Sequence, residues 1–201
     1  MNRTIGMVSS VINGISIIGF AISMVLGNNY SSYFCSMFIA FSFVPMMCAY
    51  AYYSERKYKV AGFTSVGFAA MYATMILLVY FAQLTTVRLG ELTQQAATLL
   101  DYQKLDLFFN YDLSGYGLMA LATFFAGLTI QGKSRMDKWL KGLLLVHGIF
   151  FISCLIMPML GVFTVDQDSG IGVIALEFWC GYFIPISIMS FLYFSKYLRK
   201  E

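Results

Sequence analysis

The sequence is poor in charge and poor in the residues that usually carry chemistry. Only 11% of its 201 residues are charged, and it holds one histidine, three prolines and four cysteines. A soluble globular chain carries about 25% charged residues, so this scarcity excludes an ordinary water-facing surface. With a single histidine and no HExxH there is no typical metal-ligand set, and the sequence calls for no metal or cofactor. GxSxG, P-loop and GxGxxG patterns are also absent; Gly115 and Gly117 in LSGYGLM fall within an apolar run and no Lys follows them. Ser153 and Cys154 stand about two turns from His147, a spacing that does not recommend a nucleophile and its base. Cys35, Cys48, Cys154 and Cys180 form no CxxC pair and all lie in apolar stretches, so they read as packing residues. An enzyme is therefore the least supported class.

What is present is apolar: 59% hydrophobic residues, 17% aromatic, and a mean hydropathy of +0.73. The apolar residues come in long runs broken by short charged clusters, which predicts an all-α, polytopic helical bundle rather than an alternating outer-membrane barrel. With about 20 apolar residues per crossing, six spans are expected at about Ile5 to Gly27, Tyr30 to Tyr53, Val60 to Val87, Tyr111 to Gln131, Lys138 to Val162 and Ile171 to Ser195. They form one domain covering residues 1–201. The first run is longer than a signal-peptide core and lacks an A-x-A site, so it reads as a retained span.

Alternation of six spans puts Arg3, Arg56, Lys57, Lys59, Lys133, Arg135, Lys138, Lys141, Lys196, Arg199 and Lys200 on one side and only Arg88 and Lys104 on the other. Such a bias predicts cytoplasmic N and C termini in a cell membrane. Basic residues clustered at span ends are topology signals, so the net charge of +3 implies no nucleic-acid partner. The other side is acidic, with Glu91, Asp101, Asp106, Asp112, Asp166 and Asp168. Tyrosines and tryptophan read as interfacial belts: Tyr30, Tyr33, Tyr102, Tyr111 and Tyr116 outside; Tyr50, Tyr52, Tyr53, Tyr58, Trp139, Tyr193 and Tyr197 inside. In the third loop Leu92, Ala96, Leu99 and Leu100 recur at helical spacing, which predicts a short helix lying on the outer leaflet, or a lid over a cavity.

Small residues every fourth position, Gly19, Ser23 and Gly27 in span one and Ala61, Ser65, Ala69 and Ala73 in span three, make flat stripes for close helix packing or for a homo- or hetero-oligomer. Pro45, Pro158 and Pro185 all lie within spans, where each frees a carbonyl. An ionisable group within a span is a functional-site hypothesis by default, which singles out Glu177 and His147, with Asp112 at the outer mouth of span four a weaker third. At about 1.5 Å rise per residue the first two differ in depth by roughly 8 Å, so no direct bond is expected between them. Glu177 matches the depth of Gln83, Arg88, Asn110 and Asp112.

Two readings follow for Glu177: a counter-ion in an outward-facing polar pocket for a small molecule, or a structural residue, neutral or paired with Arg88. His147 reads first as a histidine bonded to a neighbouring span.

The segments ILLVYFAQLTTVRL (Ile76 to Leu89), LFFNYDLSGYGLMALATFFAGLTI (Leu107 to Ile130) and DKWLKGLLLVHGIFFISCLIMPMLG resemble small polytopic membrane proteins of Gram-positive bacteria with no assigned activity. The resemblance implies a bacterial cytoplasmic membrane and carries over no activity. The expectation is a lipid-embedded protein that binds or transports a small molecule or lipid, the alternative being an accessory or scaffolding subunit.

Overall fold

In the computed structural model, residues 1–163 and 169–196 are described, and among them the chain is helical with no strand. The elements are α1 (Asn2–Val25), α2 (Asn29–Tyr53), α3 (Lys59–Ala82), α4 (Gln94–Leu100), α5 (Leu107–Thr129), α6 (Arg135–His147), α7 (Phe150–Met159) and α8 (Ser169–Ser195). Asp166, Asp168, Tyr197, Arg199 and Lys200 lie outside the described residues.

Five stretches are long and apolar enough to cross a membrane: Asn2–Val25, Asn29–Tyr53, Arg56–Val87, Arg135–Met159 and Gly172–Ser195. The 23-residue α5 is the less apolar exception. It packs against α3, α6 and α7 and touches α2, and Asp112, Tyr116, Thr123 and Thr129 are buried there. The rods form a closed ring in sequence order, α1 to α2 to α3 to α5, then α6 with α7, then α8 back onto α1. Phe43 of α2 fills the middle, its ring 5.3 Å from Tyr72 of α3 and 6.3 Å from Phe183 of α8.

Close approach depends on small residues. A Cβ on Gly62 would sit 2.8 Å from Ala51 Cα, and one on Gly6 would sit 2.9 Å from Ala49 Cβ. The expected stripes are used inside the bundle: Gly19 abuts the Cys35 sulfur, and Ser65, Ala69 and Ala73 are buried, with Ser65 Oγ donating to the Ala122 carbonyl of α5 at 2.7 Å. Polar side chains add interhelical bonds. Fully buried Asn13 donates to the Ile39 carbonyl (3.2 Å) and Ser42 Oγ (3.0 Å) of α2 and accepts from Ser187 Oγ of α8 at 3.0 Å. Tyr50 donates to Ser190 Oγ at 2.7 Å.

The basic residues Arg56, Lys57, Lys59, Lys133 and Lys196 share the end of the bundle that holds the start of α1. Lys59 Nζ caps α2 by donating to the carbonyls of Ala51 and Tyr52 at 2.9 and 2.8 Å. Ser134 and Asp137 form a capping box at the start of α6, and Lys196 pairs with Asp137 to hold the end of α8 there.

One sequence expectation, the tyrosine belts, is corrected, and two others gain detail. The fifth span is two helices, broken after His147 at Gly148, where Gly148 N and Ile149 N bond three residues back and a Cβ would strike Phe124 Cβ at 2.8 Å. Tyr116, Tyr50 and Tyr193 are buried core residues, not belt residues, because their rings are taken up between helices. The third-loop helix is short, and its sequel folds inward over the bundle.

Gly62→Ala should lower stability by about 1–3 kcal/mol through overpacking against the α2 backbone. Gly67→Ala, with nothing within 4 Å of the added carbon, should be neutral or stabilising by up to about 1 kcal/mol. Thermal unfolding of the two variants in detergent checks the contrast.

Candidate functional site

The site is built from the end of α3. There the helix widens into a π-turn, Gln83–Val87, which continues α3 past its last regular residue. π-bulges are inserted turns that re-aim side chains. Gln83, 4% exposed, accepts from the Tyr102 backbone N–H (3.0 Å) and donates to the Leu100 carbonyl (2.7 Å). One amide thus pins the chain after α4 as a strap across the bundle end. Gln103 adds a bond to the Tyr33 hydroxyl at 2.9 Å, and Asp101 accepts from Gln103 N at 3.0 Å. The strap ends at Leu105, whose φ of 53° is the one positive value at a non-glycine among the described residues.

The strap sets Tyr102 above Asp112, in the second turn of α5. Tyr102 donates to Asp112 Oδ2 at 3.2 Å. Burial first, and then the Asp112 carboxylate, push the Tyr102 phenol well above its ordinary range, so it stays a donor at physiological pH. Asp112 is 2% exposed, and its other oxygen, Oδ1, is buried with no hydrogen-bond partner. Around it stand Tyr72, Tyr80 and Tyr116, with the hydroxyls of Tyr72 and Tyr116 equally buried and unpartnered. The rings are in contact, with centroids 5.2 Å apart for Tyr33 and Tyr80 and 5.9 Å for Tyr80 and Tyr102 and for Tyr72 and Tyr116. The ion pairs among the described residues are Lys57 with Glu55 and Lys196 with Asp137, so Asp112 has no basic counterpart. Nor do three or more His, Cys, Asp or Glu residues assemble a metal-ligand group there.

His147 is the opposite case. Its ring is 1% exposed and both nitrogens are engaged: Trp179 Nε1 donates to Nε2 at 3.1 Å, and Nδ1 lies 2.7 Å from Thr123 Oγ1. A donor on Nε2 assigns the ring proton to Nδ1, which donates to Thr123, and Thr123 donates in turn to the Ala120 carbonyl at 2.8 Å. The histidine is neutral and fully satisfied, and it ties α6 to α5 and α8. Tyr182 stacks beside it, 5.9 Å between centroids, and donates to the Leu143 carbonyl at 2.6 Å.

The six residues singled out in the sequence therefore separate. Asp112 and Gln83 belong to one polar cluster beneath the strap; His147 is an interhelical tie. Glu177 is half-buried on α8 with Oε1 unpartnered. Arg88 is exposed, its guanidinium 4.9 Å above the Tyr30 ring, so no Glu177–Arg88 pair forms. Asn110 lies exposed on the outer surface of α5, away from the cluster. Sequence reasoning missed Asn13, Tyr72 and Tyr80, and it placed Tyr116 in an interfacial belt. The available signal was polar residues recurring inside apolar runs, as in NYDLSGYG.

No protein-family model, curated protein or solved structure matches the chain.

Gln83→Leu should orphan the Leu100 carbonyl and the Tyr102 amide and free the strap. Amide hydrogen exchange over residues 98–106 should speed at least tenfold, equivalent to about 1.4 kcal/mol of local stability. Exchange in α1 and α2 should not change.

Proposed function

We propose that the protein is a six-crossing membrane protein that binds a small monovalent cation, a proton or a small protonated amine, at Asp112 and exchanges it with the outer side by movement of the strap. The carrying observation is the buried Asp112 oxygen without a hydrogen bond in a cluster with no internal cation. An ionised carboxylate in such a place is unfavourable by several kcal/mol unless something pairs with it. A proton or a bound cation is what removes that cost, and tyrosine faces add cation–π attraction. Rings packed at 5.2–5.9 Å exclude a bulky ligand.

This reading moves the expected outward-facing pocket from Glu177 to Asp112. It treats α5 as the sixth crossing, since Asp112, Tyr116, Thr123 and Thr129 are buried against neighbouring helices. Termini on the cytoplasmic side follow from the basic residues at that end, and a bacterial cytoplasmic membrane follows from the sequence resemblance. A ligand site is favoured over a scaffold because the small-residue stripes are occupied within the bundle.

Two measurements test the proposal. In a variant with the four native cysteines replaced, a cysteine at Gln95 should react with a membrane-impermeant maleimide on intact cells, whereas one at Lys57 should react only after permeabilisation. In proteoliposomes, the wild type should take up labelled methylammonium above protein-free vesicles. Asp112→Asn should slow that uptake at least tenfold and Asn110→Ala should leave it unchanged. Uptake by Asp112→Asn at the wild-type rate, or by the wild type no faster than by empty vesicles, sinks the cation reading.

A further inference from the structure

A second feature lies at the other end of the bundle, away from Asp112. The first three turns of α1 present a ridge, Thr4, Val8 and Ile12, at the i, i+4, i+8 spacing that aligns side chains along one helix face. Val8 is 49% and Ile12 40% exposed. A groove runs along each flank of this ridge. One lies between α1 and α2, floored by Phe38, Phe41 and Pro45, and the other lies between α1 and α8, beside Phe191. Both grooves are lined almost wholly by apolar atoms, since Ser9 and Ser42 within the first turn their hydroxyls back to their own helix carbonyls. Pro45 lies inside α2, where its ring removes a backbone bond and favours a bend that keeps the first groove from closing.

The two grooves share the whole ridge, Thr4, Val8 and Ile12, and Arg3, at the start of that ridge, lines the second. Arg3 Nε is buried and has no hydrogen-bond partner, and no carboxylate pairs with this guanidinium among the described residues. A guanidinium with a free donor is matched by a phosphate, which accepts two parallel bonds from it. From Thr4 to Ile12 the ridge is about 12 Å long at 1.5 Å per residue, enough to hold the upper half of an acyl chain.

We propose that the start of α1 is a binding site for one anionic diacyl phospholipid, its phosphate on Arg3 and its two chains astride the Thr4–Val8–Ile12 ridge, one in each groove. Two apolar channels flanking one ridge, with a cation lacking a carboxylate partner at the start of that ridge, match that headgroup and chain arrangement. A free anion would use the cation and neither channel; a partner helix would lie along one groove and leave the other open.

Native mass spectrometry of the full-length protein, released from micelles doped with phosphatidylglycerol or phosphatidylcholine, tests this. The wild type should retain one phosphatidylglycerol at least tenfold more than phosphatidylcholine. Arg3→Ala should abolish that preference, and Lys57→Ala, an exposed cation at the same end, should keep it. Val8→Trp, a change at a surface ridge, should weaken retention of phosphatidylglycerol with Arg3 intact. Equal retention of the two lipids, an unchanged preference in Arg3→Ala, or full retention in Val8→Trp overturns the site. So does thermal stabilisation by inorganic phosphate alone to the extent given by phosphatidylglycerol, since the grooves would then contribute nothing.

Discussion

In lipid a polar atom has no water to fall back on, and the arrangement of this bundle follows from where each such atom finds its partner. Backbone groups are paired within helices, and most serine and threonine hydroxyls return to the carbonyl three or four residues earlier, as Ser10 does to Gly6 at 2.7 Å. The side chains that do not turn inward upon their own helix are the ones that join helices. Asn13 ties α1 to both neighbours, Ser65 ties α3 to α5, and Tyr182 ties α8 to α6. Each such bond contributes only about 0.6 kcal/mol on average in membrane proteins. Their larger effect is on register, because a donor buried between two rods has few places to bond.

Close packing supplies what those bonds do not. Without a hydrophobic force between apolar rods, contact area is the main attraction, and area requires that backbones approach. Gly6, Gly62 and Gly148 stand where an added carbon would strike a neighbouring helix, and they set the α1–α2, α2–α3 and α5–α6 approaches. Gly148 couples packing to a break in the helix: the same contact with Phe124 that draws α6 onto α5 is where the span divides. That division leaves His147 at the C-terminal turn of α6, facing Thr123 and Trp179.

The long apolar runs made the helices legible, with ends within a few residues, because length and hydropathy are local properties. Pro45, Pro158 and Pro185 stand inside helices as their positions implied. The site was less legible. Asp112 lies near the end of an apolar run, and a linear reading places it at a mouth; only the fold of Leu100 to Leu105 back over the bundle buries it. Glu177 drew attention by sitting deeper in its run, yet depth along a helix says nothing about which face the side chain takes. Tyr72, Tyr80 and Tyr116 are hard to place from sequence because a phenol belongs equally to an interface and to a core. Asn13 stands alone among small and apolar residues with no ionisable group at its depth to mark it, although an amide in lipid needs partners as strictly.

Two buried titratable residues in one bundle show why satisfaction, rather than burial, separates a structural group from a working one. His147, on α6, has a partner for each ring nitrogen, one from α5 and one from α8, so exposing it requires separating all three helices. Asp112 accepts from Tyr102, supplied by the strap, and faces the Tyr80 hydroxyl of α3; the strap is clamped by two bonds from Gln83, with a third from Gln103 to Tyr33. At about 0.5–1.5 kcal/mol net per hydrogen bond, releasing that clamp costs on the order of 1–3 kcal/mol. An open state at that cost is populated at roughly 0.5–15%, enough to admit a ligand without unfolding anything. On the proposed reading a cation enters through the open form and pairs with the carboxylate once the strap closes. The orphaned oxygen and the weakly held cover are therefore two halves of one property: a site kept uncomfortable when closed and inexpensive to open.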